Sequence, residues 1–275
     1  MLSLERLGSL PPSLSLRIRK RSVDMKTGRE IALRFTGFLL ILAVWQFAGP
    51  IRDSPALPPP IDVFQTAYYL IRDGTIWPHM VASLSIILQG IAIAVVFGFV
   101  LGVVMFQYRA FRIAALPVVE SVRGIAALTL FPMLIVLLGI GAPSRIFVIF
   151  WTAWPAVVLS TMHSLNIDKG LVEAGMALGM KDWRILYAIR IPVAAQGIVA
   201  GIRIGVGGGW IGLVAAEMLG ATNGLGYFLL WSAQSFRFDR VYAIIIIIAA
   251  TGGVMNFALL MVQKHFQKRL GGTQL

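Results

Sequence analysis

From Gly74 to Tyr108 the chain carries no Asp, Glu, Lys or Arg, and a second stretch without them runs from Val241 to Val262. A helix of about 20 apolar residues spans a bilayer core of about 30 Å, so runs of this kind read as membrane-crossing helices. Six segments qualify: the run FTGFLLILAVWQFAGPI between Arg34 and Arg52, then Val81 to Phe106, Ile113 to Ile140, Ile146 to His163, Ala195 to Leu219 and Val241 to Val262. The third carries Glu120 and Arg123 in its first half.

Composition supports that reading. Hydrophobic residues make up 58% of the 275 and charged ones 13%, with a mean hydropathy of +0.82, far from the mixture of a soluble domain. Cysteine is absent, and the three histidines, His79, His163 and His265, are scattered. No disulfide framework, thiolate nucleophile or metal cluster is expected, and no catalytic site. No Gly-Lys pair occurs, so the chain lacks the glycine-rich loop that cradles a nucleotide phosphate.

A net charge of +12 does not indicate nucleic acid, because its distribution follows the spans. With the N-terminus inside, the inner segments hold seventeen Lys and Arg and the outer ones five, the asymmetry of short cytoplasmic loops. Both termini are thus expected in the cytoplasm. No small-x-small cleavage site follows the first apolar run, which reads as an uncleaved span. The expected organisation is an all-α membrane protein. A basic cytoplasmic segment (1–30) precedes a first span (31–52) and an outer segment with a short interfacial helix (53–80). A five-helix core (81–264) follows, with a cytoplasmic loop at 164–192 and a tail at 265–275.

That loop is polar where its surroundings are apolar. In LVEAGMALGMKDWRILYAIRIP, apolar residues at Leu171, Val172, Met176 and Leu178 predict one helix, and Gly179 ends it. Asp182 is the expected N-cap of a second helix, and Pro192 marks the entry to the fifth span. Two short helices around a glycine turn form a shaped knob suited to docking in a partner's groove.

The same stretch resembles the EAA loop of permease subunits of bacterial ABC importers, through Glu173, Ala174, Gly175, Gly179, Ile191 and Pro192. Further segments are similar to the nitrate/sulfonate/taurine branch: LPPPIDVF, HMVASLSIILQG, PVVESVRGIAAL, LLGIGAPSRIF and VAAEMLGATNGLGY. Three positions depart from the pattern: Ile87 stands where Arg is usual, Ala126 where Pro is usual, and Asn256 where Asp is frequent. The resemblance implies a type I importer permease fold of six spans acting as a homodimer in the inner membrane. It implies cytoplasmic ATPase subunits that bind ATP and Mg, a periplasmic binding protein that delivers a small solute, and a loop from Glu173 to Ile191 that transmits their movement. The solute class it suggests is an anion such as nitrate, a sulfonate, taurine or a carboxylate. An ion-coupled carrier or channel is the rival reading, with only Glu120 and Glu217 available as relays.

Several residues remain open between structural and functional roles. Glu120 and Arg123, three apart on one helical face, read as a neutralising pair, with Arg123 as the contact for an anionic substrate in the alternative. Gly201, Gly205 and Gly209 are spaced for close helix packing. The run Gly207, Gly208, Gly209 predicts local irregularity, with Trp210 beside a translocation path. The resemblance gives Glu217 a part in gating or binding-protein contact.

Overall fold

The computed structural model describes residues 36, 37, 40, 43–46 and 56–269, with side chains to 266. The basic segment at 1–30, most of the expected first span and the last residues of the tail lie outside them. Contacts divide the chain into two units, 1–64 and 65–275. The second contains the core.

The described helices are α1 (Pro60–Arg72), α2 (Ile76–Gln107), α3 (Arg109–Gly124), α4 (Ala127–Leu138), α5 (Ala142–Ser164), α6 (Lys169–Ala177), α7 (Asp182–Ile185), α8 (Ile191–Gly220), α9 (Leu225–Gln234) and α10 (Phe238–Arg269). No strand occurs among them. Four helical stretches are long and apolar enough to cross a membrane: α2, α5, α7 through α8, and α10. The bent pair α3 and α4 passes the same test when taken together, which gives a fifth if the two form one span. The short helix expected before the second span is α1, which opens on Pro60, where a missing N–H costs nothing.

The centre of the core is α5, with α2 on one side and α8 on the other. Two glycine stripes allow this. On α8, a Cβ at Gly205 would stand 3.1 Å from the Ala153 carbonyl, one at Gly209 3.1 Å from Ile149, and one at Gly201 would collide with Ser160. On α2, Cβ atoms would come within 2.6 Å of Ile149 at Gly90, 2.8 Å of Val157 at Gly98 and 2.7 Å of Thr161 at Gly102. Small residues at four-residue spacing let backbones approach where lipid supplies no hydrophobic drive between helices. The closely packed face outweighs a helix-propensity cost of about 1 kcal/mol per glycine.

Two sequence expectations need correction here. The glycine run 207–209 causes no irregularity: α8 is α-helical throughout. Gly209 and Gly208 are there for contact with Ile149 and Thr152. The irregularity lies earlier, in a π turn at Leu186–Arg190, where the Ile191 N–H reaches back to the Leu186 carbonyl. Pro192 explains it. A proline ring clashes with the carbonyl four residues back, and widening the preceding turn moves that carbonyl aside.

The third expected span is not one helix. It breaks at Ile125 and Ala126, and α3 and α4 meet at 92°. Neither internal proline causes this, since Pro117 and Pro132 lie inside α3 and α4. Ala126 has φ −64° and ψ 120°, a geometry that proline also adopts. Indole Nε1 of Trp151 donates to the Ile125 carbonyl at 3.4 Å, satisfying an acceptor that the break exposes.

Candidate functional site

Opposite ends of α8 carry two groups of the residues singled out by sequence. At its N-terminal end is the loop. Asp168 caps α6 by accepting the Gly170 N–H at 2.9 Å. Gly179 ends it with φ +74°. Its N–H donates to the Met176 carbonyl at 2.9 Å and the Met180 N–H to the Gly175 carbonyl at 3.1 Å, which closes the last turn as a Schellman motif. Only glycine takes this left-handed position without steric cost. The expected cap role of Asp182 is corrected: Lys181 is the N-cap and Asp182 the first helical residue. Its carboxylate there still favours the positive helix end.

Gly175 is buried where α6 meets the second half of the loop, and a Cβ on it would lie 2.9 Å from the tip of Ile189. Arg190 fastens the loop to the core. Its guanidinium donates to the Leu165 carbonyl at 2.9 Å and lies 4.9 Å from the centre of the Phe106 ring. Ile191 and Pro192 then open α8, half-buried. The outward surface is apolar: Leu178 is 82% exposed, Tyr187 64%, Trp183 58% and Met176 54%. Glu173, Ala174 and Asp182 are exposed with them.

At the other end of α8, Glu217 is fully buried. One carboxylate oxygen accepts the Ser83 hydroxyl at 2.7 Å and the other the Gly226 N–H at 2.8 Å. Ser83 Oγ in turn accepts the Leu225 N–H at 2.9 Å. His79 Nδ1 accepts the Gly224 N–H at 3.3 Å, and its ring stacks on Phe228 at 4.7 Å. Arg145 donates to the Gly141 carbonyl at 3.0 Å and to Asn223 at 3.4 Å. Gly224 has φ +112°, and a side chain there would collide with the Glu217 carboxylate. Three sequence motifs, on α2, α5 and the α8–α9 turn, thus meet in one hydrogen-bonded lock.

The remaining candidates are dispersed. Glu120 and Arg123 are both exposed and do not form the expected pair. Among the described residues the only ion pair is Arg237 with Asp239, at 3.4 Å. The break after Gly124 leaves Glu120 and Arg123 on the last turns of α3, where open surroundings replace the helix interior the sequence suggested. Trp210 is buried, with Gly252 of α10 set against its indole. Gly208 lies beside Thr152 and Gly209 beside Ile149. Sequence reasoning missed Ser83, His79, Arg145 and Arg190 as working residues, although each stood inside a quoted motif.

Residues 94–272 match the family described as the binding-protein-dependent transport system inner membrane component. The chain belongs to this family. The taurine transport system permease protein TauC of Escherichia coli (strain K12) is 29% identical over 90% of this chain and 92% of its own. The putative aliphatic sulfonates transport permease protein SsuC of Bacillus subtilis (strain 168) is 27% identical over 98% of both. These relatives place the permease in the nitrate/sulfonate/taurine branch. Among solved structures, a chain of the MetNI methionine ABC transporter in inward-facing conformations superposes with a TM-score of 0.58 at 19% identity, over 70% of this chain and 94% of that one. The likeness extends to the fold.

Proposed function

We propose that this permease forms the translocation path of an ATP-driven importer, and that loop 169–190 is where the motor acts. The observation that carries the reading is the contrast within the loop: a rigidly capped pair of helices that nonetheless exposes Met176, Leu178, Trp183 and Tyr187. Apolar and aromatic side chains projecting from a polar loop form an anchor surface for a partner protein. The partner is a cytoplasmic ATPase subunit, which holds the ATP and Mg; both permease termini lie on its side of the membrane.

The mechanism follows from how the loop is attached. ATP shifts the permease only by favouring one of its conformations over another. The Gly179 cap, the Gly175–Ile189 contact and the Arg190–Leu165 hydrogen bond make the loop move as a body. Its second helix runs through the π turn into α8, so displacement of the loop is carried along α8 toward Glu217 and the lock. The permease works as a homodimer, receives its solute from a periplasmic binding protein, and carries a small oxyanion, by likeness to its taurine and sulfonate relatives. Arg123, exposed and without a carboxylate partner among the described residues, is the residue for the anion to meet.

The test is uptake of labelled taurine or a short alkanesulfonate into proteoliposomes holding the permease, its ATPase and its binding protein. Gly179→Asp and Glu173→Lys should abolish uptake or ATPase assembly while the permease still inserts. Uptake that persists without ATP would replace this reading with an ion-coupled carrier.

A further inference from the structure

We propose that the cavity between α2, α3 and α5 binds the phosphodiester headgroup of an anionic phospholipid. The cavity measures about 520 Å³ and is lined by Phe106, Arg112, Leu116, Met162, His163 and Asn166. That volume is in the range of small-molecule sites, about 300–1,000 Å³. Its position is that of a headgroup. Phe106 is in the last turn of α2, Met162 and His163 are in the last turn of α5, and Arg112 is in the first turn of α3. All three helices therefore reach the cavity where membrane-spanning segments end.

The lining is divided by chemistry. Phe106, Leu116 and Met162 are apolar; Arg112, His163 and Asn166 offer hydrogen-bond donors, and no carboxylate is among them. Arg112 and Leu116 are one turn apart on the same face of α3, which sets a cation beside an apolar surface. Arg109 adds a second cation on that face. Two arginines of the core are engaged: Arg145 by the Gly141 and Asn223 carbonyls, Arg190 by the Leu165 carbonyl and the Phe106 ring. Among the described residues no carboxylate lies within 4.0 Å of Arg112, so its guanidinium retains donors in a fork that matches a phosphate. A free phosphate or sulfonate shares that chemistry. The apolar half of the lining selects the lipid, whose acyl chain covers it, and basic pockets between spans at this level hold anionic headgroups elsewhere.

The full-length permease, purified in mild detergent and mixed with phosphatidylglycerol or phosphatidylcholine, is assayed for retained lipid by native mass spectrometry. Phosphatidylglycerol should be retained in preference. Arg112→Gln should lower its retention about five-fold, the effect of one cation near an anionic headgroup. Arg112→Lys should recover most of it, and the exposed His163→Gln should lower it independently if Arg112→Gln folds poorly. Arg237→Gln, in the loop between α9 and α10, should change nothing. Millimolar phosphate or methanesulfonate should leave the lipid in place. Equal retention of the two lipids, or phosphatidylglycerol held undiminished by both Arg112→Gln and His163→Gln, overturns the proposal. Displacement by the free anions also overturns it and assigns the cavity to a soluble oxyanion.

Discussion

The two ends of α8 treat their side chains in opposite ways. At its C-terminal end a carboxylate, Glu217, is fully buried and both its oxygens find protein donors. At its N-terminal end large apolar residues, among them Leu178 and Trp183, stand in the open. Each arrangement contradicts the simple expectation of polar outside and apolar inside, and each has a cause. A buried carboxylate persists only where donors replace water, so the lock is an internal structural device. An exposed aromatic pair on a capped loop gains nothing within the monomer, which is the ground on which the proposed function gives it a protein partner. Burial with satisfied polarity therefore marks the part of the permease that holds itself together, and exposure with rigid geometry marks the part on which, in the proposed function, the motor acts.

Glu217→Ala should break that contrast most severely. It leaves the Gly226 N–H and the Ser83 hydroxyl without their acceptor, at about 1–3 kcal/mol for each buried group. Thermal unfolding of the purified permease should register a loss of about 2–6 kcal/mol in sum, and Glu217→Gln, which keeps one acceptor, should lose less than half as much. An unchanged midpoint would remove the lock from the account. Trp183→Ala should do the reverse, changing stability by no more than about 0.5 kcal/mol. Affinity for the ATPase should fall by about 2 kcal/mol, the loss of an aromatic anchor. Titration calorimetry of the two purified partners checks it, and equal loss in both measurements would erase the distinction between the ends.

Smaller effects are expected at the broken span. Ala126 has a backbone that proline accepts, and its N–H donates no backbone hydrogen bond. Ala126→Pro should be tolerated and stabilise by about 0.4–1 kcal/mol through the unfolded chain, read as a raised unfolding midpoint. A clear loss would show that the break straightens in the working transporter. Least of all, Glu120→Gln and Arg123→Gln should each shift stability by under about 0.5 kcal/mol, and the double variant should be additive. Only Arg123→Gln should impair uptake of an anion. A coupling energy between the two would restore the pair that the structure lacks.

Much of the knob was legible because its signals are local. Gly179 needs a backbone only glycine adopts freely, and helix periodicity falls on either side of it. Asp182 misled because Lys181 and Asp182 compete for one boundary, and a carboxylate is favourable on both sides of it. The spacing of Gly201, Gly205 and Gly209 predicted packing correctly; Gly90, Gly98 and Gly102 carry the same four-residue period and were overlooked within an apolar run. The break at Ile125 carried a signal only through the resemblance, in which Ala126 stands at a proline position.

The sequence by itself determined what depends on neighbours in the chain: which segments are apolar enough to cross lipid, where the loop turns, and to which family the motifs belong. Tertiary structure alone decided which motifs meet. His79, Ser83, Arg145 and Glu217 lie on three different helices, separated by up to 138 residues, and become one lock only because glycine stripes bring α2 and α8 against α5. A hydrogen bond reports on distance in space, and that distance is set by how closely the helices pack.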